Sequence, residues 1–361
     1  MARPSRRHEI DSALLAAVGA HPRDLVRVVM NALGLSRPQV LARVDALIDA
    51  GFLARDDNPT RPSYRHGPRR RHSFTRAVAG AEEHVLWEHQ LAPLLAGLPR
   101  NVYDICHYGF TEMVNNVVDH SGGRRLVTSV DLEPGRVAIT VQDDGVGIFR
   151  KISRHLALPD ERLALLELAK GKLTTDPRRH SGEGVFFTSR VFDHFMILSG
   201  GLSFDHDHRH PEDVLFDDDD GSEGTTVVME IADDSRRTCA GVFARFSSGP
   251  EDYSFARTIV PVRMAGLGDG NLVSRSQARR VLQRVDRFRI VVFDFAAVTA
   301  IGQGFADEIF RVFAAGHPEV ELEFINADAA VVAMIRRAQA AAAESWRIEE
   351  AQGDLFEEPK P

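Results

Sequence analysis

The chain has 361 residues, 43% of them hydrophobic and 27% charged, with a formal net charge of −8. This composition is typical of a globular protein with two or three domains, and no apolar run approaches the roughly 20 residues of a membrane helix. The basic N-terminus lacks the apolar core of a secretory signal. The two cysteines, Cys106 and Cys239, form no CxxC pattern, so we expect a reduced cytoplasmic protein without membrane contact.

The charge is unevenly distributed along the chain. The first 80 residues hold 14 arginines, no lysine and 7 acidic residues, which gives them a formal charge of +7. Because the whole chain has a net charge of −8, the remaining residues carry −15. A basic head on an acidic body indicates either nucleic-acid binding or a charge contact within the chain.

Residues 1–66 predict a small helical module followed by a short β-wing. Apolar residues recur at three- and four-residue spacing in 9–18, 23–33 and 37–50, as in amphipathic helices. Three helices plus a wing resemble a winged helix-turn-helix domain. The resemblance implies that the third helix offers Arg37, Gln39 and Arg43 to duplex DNA, although many such modules bind protein or dimerise instead.

Residues 67–80 predict a basic linker, because Pro68 precedes the run from Arg69 to His72. The arginines could reach phosphates, so that DNA contact would extend through residues 1–76. The alternative is a solvated tether between domains. A helix is then predicted at 81–96.

The most informative stretch begins with a helix predicted at 102–120. Glu112, Asn116 and then Asp119 and His120 recur at helical spacing, so one helix face carries a carboxylate and a carboxamide a turn apart. Strands are predicted at 126–132 and 136–142, and the second ends in Asp-Asp-Gly-Val-Gly, residues 143–147. An acid-and-amide helix followed by a strand ending in Asp-x-Gly-x-Gly predicts a nucleotide site.

The next segment, 149–180, is charged and weakly periodic, and it predicts a mobile loop with a helical piece at 160–170 rather than core. Gly182 and Gly184 then open another helix. One strand is predicted at 196–204, a solvated His- and Asp-rich loop at 206–220, and a closing strand at 224–231.

These residues suit the chemistry of Mg²⁺–ATP. Magnesium takes oxygen ligands and bridges phosphates, so the amide of Asn116 can suffice beside phosphates and waters. Glu112 could orient or deprotonate a nucleophile, and Asp143 could accept a hydrogen bond from the adenine amine. Gly145 and Gly147 allow close approach of the backbone to a ligand. A helix N-terminus such as the one after Gly182-Glu-Gly184 presents N–H donors to phosphate.

Residues 81–232 therefore resemble the Bergerat-fold ATPase domain of the GHKL superfamily, which includes DNA gyrase, heat-shock chaperones, histidine kinases and mismatch-repair ATPases. Glu112-x-x-x-Asn116 matches its N box, residues 143–147 its first glycine box, Gly182-Glu-Gly184 its second, and Gly224-Thr-Thr226 its last motif. The resemblance implies an α/β sandwich that holds ATP and Mg²⁺ under a lid formed by 149–181.

The resemblance also assigns roles. Glu112 would be the general base and Asn116 the magnesium ligand. The implied nucleotide-binding set is Asn116, Asp119, Asp143, Gly145, Gly147, Gly182, Gly184 and Thr226. Lys170, Lys172 and Arg178 are lid candidates for the γ-phosphate. Two features depart from the family: Phe186 stands where many kinases carry a further glycine, and no His-containing dimerisation helix precedes the domain.

Residues 233–253 predict a second linker, and 254–343 alternate strands and helices as in a compact α/β unit. The strand 291–295 and the following segment 298–308 resemble a STAS-like domain. Phosphorylated STAS proteins carry a serine at the strand–helix junction, where this chain has Gly302-Gln-Gly304, with Thr299 nearby. A fused regulatory or binding module is therefore expected, followed by a frayed acidic tail at 344–361.

The expected fold is thus multi-domain: a winged helix, an α/β (α+β) Bergerat sandwich and a small α/β STAS-like domain. The expected function is regulation, in which binding or hydrolysis of Mg²⁺–ATP is coupled to the two end domains and to DNA, a protein partner or a homodimer. The N box read with His120 is closest to the anti-sigma-factor serine kinases. A protein serine/threonine kinase and a nucleotide switch without hydrolysis therefore stay open as alternatives.

Overall fold

A computed structural model describes residues 6–56, 58, 62–133, 135–174, 182–209, 214–217, 223–247, 249, 254–266 and 272–353. Over these ranges the chain is a multi-domain α+β protein. Within them, no helix combines the length and the apolar character needed to cross a membrane.

The helices, several of which contain π segments, are α1 (Arg6–Ala17), α2 (Leu25–Leu33), α3 (Arg37–Asp49), α4 (Glu83–Leu86, π Trp87–Leu91, Ala92–Leu95), α5 (Arg100–Asn116, π Val117–Ser121), α6 (Ile148–Leu156), α7 (Leu163–Lys170), α8 (Gly184–Val191), α9 (Cys239–Ala244), α10 (Arg275–Leu282), α11 (Gln303–Asp307, π Glu308–Phe313, Ala314–Gly316) and α12 (Ala329–Gly353). The strands are β1 (Leu53–Arg55), β2 (Tyr64–His66), β3 (Arg70–Ala77), β4 (Arg125–Glu133), β5 (Arg136–Asp143), β6 (His194–Ser199), β7 (Leu202–Asp207), β8 (Val214–Asp217), β9 (Thr225–Ile231), β10 (Arg257–Pro261), β11 (Ile290–Asp294) and β12 (Glu321–Ile325).

The N-terminal module, residues 6–66, contains α1 to α3 and the antiparallel hairpin β1–β2. Gly34 ends α2 in the left-handed conformation that glycine adopts without strain. Ser36 then begins α3 through a capping box with Gln39. The apolar faces of the three helices enclose a small core of their own around Leu14, Leu25 and Val40.

The linker predicted at 67–80 is instead largely a strand. Residues 70–77 form β3, which pairs antiparallel with β4 from Arg70 opposite Leu132 to Ala77 opposite Arg125. The strand was missed because it lies at the edge of its sheet, where charged side chains protect the free edge. Phe74 is its buried side chain, so an alternating apolar pattern is absent.

The central domain, residues 70–232, is built on a seven-stranded sheet of order β3-β4-β5-β9-β6-β7-β8 with antiparallel neighbours. Helices α5 and α8 pack against it. The register of β5 and β9 sets Asp143 opposite Thr225, which brings two glycine-containing loops together. The single strand predicted at 196–204 is two strands, because Gly200 and Gly201 turn the chain with positive φ.

The segment predicted at 149–180 as a mobile loop rather than core contains most of α6 and all of α7. Every residue of α7 is buried, since the helix lies between α6 and α8 on one side and β10 on the other. A helix buried all round has no polar face, and its sequence is therefore weakly periodic. Residues 175–181 lie outside the described ranges.

The C-terminal domain, residues 254–353, has the parallel sheet β10-β11-β12 with α10, α11 and α12. The strands and helices predicted there are present. The second predicted linker, 233–253, contains α9, and the tail expected to fray from 344 continues α12 to Gly353. Residues 354–361 lie outside the described ranges.

Candidate functional site

A cavity of about 300 Å³ lies in the central domain between α5, α6, the β5 and β9 strand ends and the start of α8. We call it the central cavity. Six of the nine nucleotide-site residues predicted from the sequence line it: Glu112, Asn116, Asp143, Gly147, Gly182 and Gly184. Packing of α5 against α8 brings Glu112 next to Gly184, 72 positions away, and antiparallel pairing of β5 with β9 sets Asp143 opposite Thr225, 82 positions away.

Glu112 lies directly against the start of α8. A Cβ atom on Gly184 would stand 2.0 Å from Glu112 Oε2, so no other residue fits at 184 unless the carboxylate moves. The N-terminus of a helix favours negative charge, and α8 begins at Gly184. The second glycine pair therefore makes room for a carboxylate as well as for any ligand.

Asn116 lies one turn further along α5 and also lines the central cavity. Its Nδ2 atom is buried without a hydrogen-bond partner. Buried polar groups are almost always paired in folded proteins, and the nitrogen and oxygen of an amide are assigned rather than observed. An unpaired Nδ2 donor in a cavity wall fits a site that holds a ligand with a hydrogen-bond acceptor.

Asp143 ends β5 and is buried. Burial raises the pKa of its carboxyl group, against hydrogen bonds from the backbone N–H groups of Gly145 and Thr225, which favour the ionised form. The Gly145 bond is 2.7 Å long. The carboxylate is therefore fixed by its own loop and presents an acceptor at the cavity wall.

The glycines of the first glycine box are required by packing. A Cβ atom on Gly145 would lie 2.2 Å from the Ser121 carbonyl oxygen, and Gly147 has φ 91° with Ser199 Oγ 2.7 Å from its ideal Cβ position. Gly145 itself does not line the central cavity. Its role here is to let the loop after β5 pack against the end of α5.

Two further predicted residues lie elsewhere. Asp119 is exposed and outside the cavity lining, and Thr226 is replaced in that lining by Thr225. Successive side chains of a strand point to opposite faces, so a shift of one residue decides which threonine reaches the cavity. The Thr225 hydroxyl accepts a hydrogen bond from Ile148 N at 3.1 Å.

Lys151 is a cavity residue that sequence reasoning missed. Among the described lining residues it is the one lysine or arginine. Its Nζ donates to the His120 carbonyl oxygen at 2.6 Å, and burial lowers its pKa. Its position in the first turn after the glycine box was the available clue, but a lysine on an amphipathic helix is ordinarily a solvated residue.

The lysines nominated for the γ-phosphate contact the C-terminal domain instead. Lys170 is fully buried, and its Nζ donates to Glu167 at 2.6 Å and to the carbonyl oxygens of Arg280 and Gln283 at 2.9 and 3.0 Å. Arg284 completes this group through Glu167 Oε2 at 2.8 Å. We call Glu167, Lys170 and Arg284 the Lys170 cluster.

Lys172 continues the same contact. Its Nζ donates to the Arg287 carbonyl oxygen at 2.9 Å and lies over the ring of Phe288. The side chains just before and after it in the chain, Leu168, Leu173 and Thr174, line the central cavity. This stretch therefore has one side in the cavity and the other on the C-terminal domain. Arg178 lies outside the described residues.

The DNA candidates on α3 have intramolecular partners. Arg43 donates two hydrogen bonds to the Asp11 carboxylate at 2.8 and 2.7 Å. The Gln39 side chain accepts from the backbone N–H and hydroxyl of Ser36. Arg37 is exposed. Of the three side chains, Arg37 is thus the one that the structure leaves on the surface without such a bond.

The junction before α11 has no room for a phosphoacceptor serine at its first position. A Cβ atom on Gly302 would lie 2.7 Å from Val273 Cα. Thr299 is exposed in the preceding loop. At Gly302 the backbone of the junction therefore packs directly against another segment of the same chain, which leaves no room for a side chain.

Comparison with known proteins identifies part of the chain. Residues 277–332 match the family model of a STAS-like domain of unknown function (DUF4325). The match runs from α10 through β11, α11 and β12 into α12. No curated protein matches the chain significantly. The C-terminal domain thus contains a STAS-like domain at 277–332.

Proposed function

We propose that the chain is an ATP-binding regulatory protein whose central domain is a GHKL-type ATPase. The observation that carries this proposal is the convergence of Glu112, Asn116 and Asp143 on one cavity, together with glycines of both predicted glycine boxes. A carboxylate, an amide and a buried acid are the groups that hydrolysis, magnesium and adenine respectively require. The cavity volume of about 300 Å³ lies at the lower end of the range for small-molecule sites.

Asn116 is the residue that would hold Mg²⁺ through its side-chain oxygen, because its amide lines the cavity one helical turn from Glu112. One amide suffices, since Mg²⁺ completes its shell with phosphate oxygens and waters. When bound, the ion neutralises phosphate charge. Asp143 would accept a hydrogen bond from the adenine amine, and Lys151 would supply a positive charge beside the phosphates.

Glu112 would serve as the general base that orients and deprotonates the attacking water. Its contact with Gly184 sets it at the N-terminus of α8, the kind of helix end that binds phosphate. A carboxylate in this position favours hydrolysis over a switch without turnover. His120 also lines the cavity, which keeps phosphoryl transfer to a protein hydroxyl as the alternative.

The Lys170 cluster supports coupling between this site and the STAS-like domain. Residues 168–174 contribute to the cavity wall and at the same time hold α10 and its following turn through Lys170 and Lys172. A nucleotide that shifts this stretch must therefore change contacts in the C-terminal domain. The output to DNA or a protein partner would pass through the N-terminal module.

Phosphate release and ATP binding test the proposal. Wild type is expected to bind ATP with Mg²⁺ and to release phosphate. Glu112→Gln should retain binding and lose at least about 100-fold in turnover, the usual contribution of a general base. Asn116→Ala should weaken the magnesium-dependent part of binding. Asp119→Asn is the matched control, since it makes the same chemical change on the same helix outside the cavity.

Two outcomes would count against this reading. Turnover by Glu112→Gln at the wild-type rate would remove Glu112 as the base, and absence of Mg²⁺–ATP binding would remove the nucleotide site. Incubation with γ-labelled ATP separates ATPase from kinase. Label retained on this chain or on a STAS-domain partner would favour the kinase, and label released only as free phosphate would favour the ATPase.

A further inference from the structure

The turn that follows α7 has a strained backbone. Gly171 has φ 79° and ψ −173°, a conformation that is essentially confined to glycine. Lys172 comes next with φ 49°, in a region that residues other than glycine seldom adopt. Such residues persist only where the surrounding structure holds them in place. The turn must therefore be fixed by contacts from outside it.

Arg284, a member of the Lys170 cluster, supplies these contacts from the STAS-like domain. Its side chain is 10% exposed. Its Nη2 donates to the carbonyl oxygens of Gly171, at 3.1 Å, and of Lys172, while Nη1 donates to Glu167 Oε2 at 2.8 Å. Arg284 itself has φ 66°, so a non-glycine residue with positive φ lies on each side of the contact. One guanidinium group thus joins the end of α7 to the STAS-like domain.

The turn leads directly into the wall of the central cavity. Leu173 and Thr174 follow it and line that cavity. Leu173 N donates to the Gly182 carbonyl oxygen at 3.0 Å, and a Cβ atom on Gly182 would lie 2.5 Å from the Leu173 carbonyl carbon. Gly182 lines the cavity as well and belongs to the second predicted glycine box. The turn that Arg284 holds therefore sets the position of this part of the wall.

We propose that Arg284 is a positioning residue of the central cavity. By fixing the turn after α7 it places Leu173 against Gly182, so the STAS-like domain controls the affinity of the cavity for Mg²⁺–ATP. The effect on ATP rests on the proposed function, whereas the positioning of the wall does not. Because coupling between two sites is reciprocal, a nucleotide that needs this wall also strengthens the contacts of Arg284.

Amide hydrogen exchange of the full chain without nucleotide tests the positioning. Arg284→Lys keeps a positive charge beside Glu167, but an ammonium group lacks the planar fork that serves a carboxylate and two carbonyl oxygens together. Exchange of the Leu173 amide should become about tenfold faster, the effect of losing one charge-assisted hydrogen bond. Amides of β5 should exchange as in wild type, which shows that the variant is folded. Arg284→Met, a second variant, should act in the same direction.

Titration with Mg²⁺–ATP tests the consequence for the nucleotide. Arg284→Lys should weaken binding about tenfold. Saturating Mg²⁺–ATP should slow exchange of the Leu173 amide in wild type and do so less in Arg284→Lys, a response that a purely structural role would not produce. Arg279→Lys is the matched control, since it makes the same change at an exposed side chain of the same domain, and it should match wild type in both measurements.

The outcomes separate this inference from the proposed function. Positioning by Arg284 is wrong if the Leu173 amide of Arg284→Lys exchanges at the wild-type rate, or if Arg279→Lys accelerates it equally. Control of affinity is wrong if Arg284→Lys exchanges faster at Leu173 but binds Mg²⁺–ATP as wild type does. Failure of wild type to bind Mg²⁺–ATP would overturn the proposed function and the control of affinity together, and the exchange rates would still decide the positioning.

Discussion

The two ends of the central domain are joined to their neighbours by different kinds of contact. At the C-terminal junction, buried side chains of both domains belong to one continuous hydrophobic core, in which the Phe255 ring lies 4.5 Å from Phe186 and 5.1 Å from Phe288. At the N-terminal junction, two separate cores are joined by residues 67–69. There Gly67 N donates to Phe52 O and Arg69 N to Gly51 O.

This difference indicates which neighbouring domain is coupled to structural changes at the central cavity. The central and C-terminal domains share one close-packed core with buried charges. A shift of α7 must therefore also move the C-terminal domain. Two backbone hydrogen bonds and the partly exposed Arg69–Glu133 ion pair fix an orientation but contribute little free energy. The central and C-terminal domains should therefore unfold together, and the N-terminal module should unfold separately.

The largest expected effect comes from breaking the Lys170 cluster. Glu167→Ala leaves the charges of Lys170 and Arg284 buried without their carboxylate, which should cost about 3–5 kcal/mol of unfolding free energy. Urea denaturation measures it. Glu161→Ala, which removes a carboxylate paired with the exposed Arg150, should cost less than about 1 kcal/mol. A similar small loss for Glu167→Ala would show that the junction does not depend on this cluster.

A second test follows the pH dependence of the same cluster. Burial is the main cause that lowers the pKa of Lys170 from 10.5 to about 8. Between these values the unfolded chain holds a proton that the folded chain lacks, so the unfolding free energy contributed by Lys170 rises with pH, by up to about 3 kcal/mol. The measurement is the difference between wild type and Lys170→Met from pH 8 to 10.5. A difference that stays constant would contradict the expectation.

The N-terminal junction should give a smaller and more local effect. A Cβ atom on Gly67 would lie 2.1 Å from the Gly51 carbonyl oxygen, so Gly67→Ala must displace the backbone contact. We expect a loss of about 1–3 kcal/mol, confined to the N-terminal module. Limited proteolysis near residues 51–69 and thermal unfolding report it. Gly97→Ala, where nothing lies within 4 Å, is the matched control, and equal behaviour of the two variants would contradict the tight junction.

The smallest effect is expected from an ion pair beside that junction whose arginine is exposed. Arg71 pairs with Asp131 across β3 and β4, with its side chain 56% exposed. Arg71→Gln should cost about 0.2–1 kcal/mol, and the loss should fall as salt is added. Thermal unfolding at low and high salt measures it. A loss that grows with salt would mean that packing rather than charge links these strands.

The features predicted well from the sequence are those that depend on neighbouring residues. Helical spacing put Glu112 and Asn116 on one face, and Asp-x-Gly-x-Gly identified a loop that tolerates no Cβ atom at Gly145 or Gly147. Both follow from local geometry. Whether ATP occupies the cavity stays a prediction.

The features missed depend on distant parts of the chain. The sequence nominates Lys170 as a lid residue for the γ-phosphate, whereas its burial in the structure depends on Arg280 and Gln283, which bring carbonyl oxygens from 110 and 113 residues away. The edge strand β3 has one buried side chain and therefore carries no periodic pattern. Thr225 and Thr226 are equivalent in the sequence, and the register with β5 is what distinguishes them.

The π segment Val117–Ser121 at the end of α5 has a consequence for the site. One turn of α-helix takes 3.6 residues, so residues four apart do not point in quite the same direction. In an uninterrupted α-helix, the side-chain direction would rotate progressively from Glu112 to Asn116 to His120. A π turn contains more than four residues, so a step of four residues is less than one full turn. The side-chain direction therefore rotates the opposite way across the π segment. Glu112, Asn116 and His120 all reach the cavity, and Asp119 does not. The single π turn thus keeps three polar side chains on the same side of the helix, whereas an uninterrupted α-helix would spread them apart.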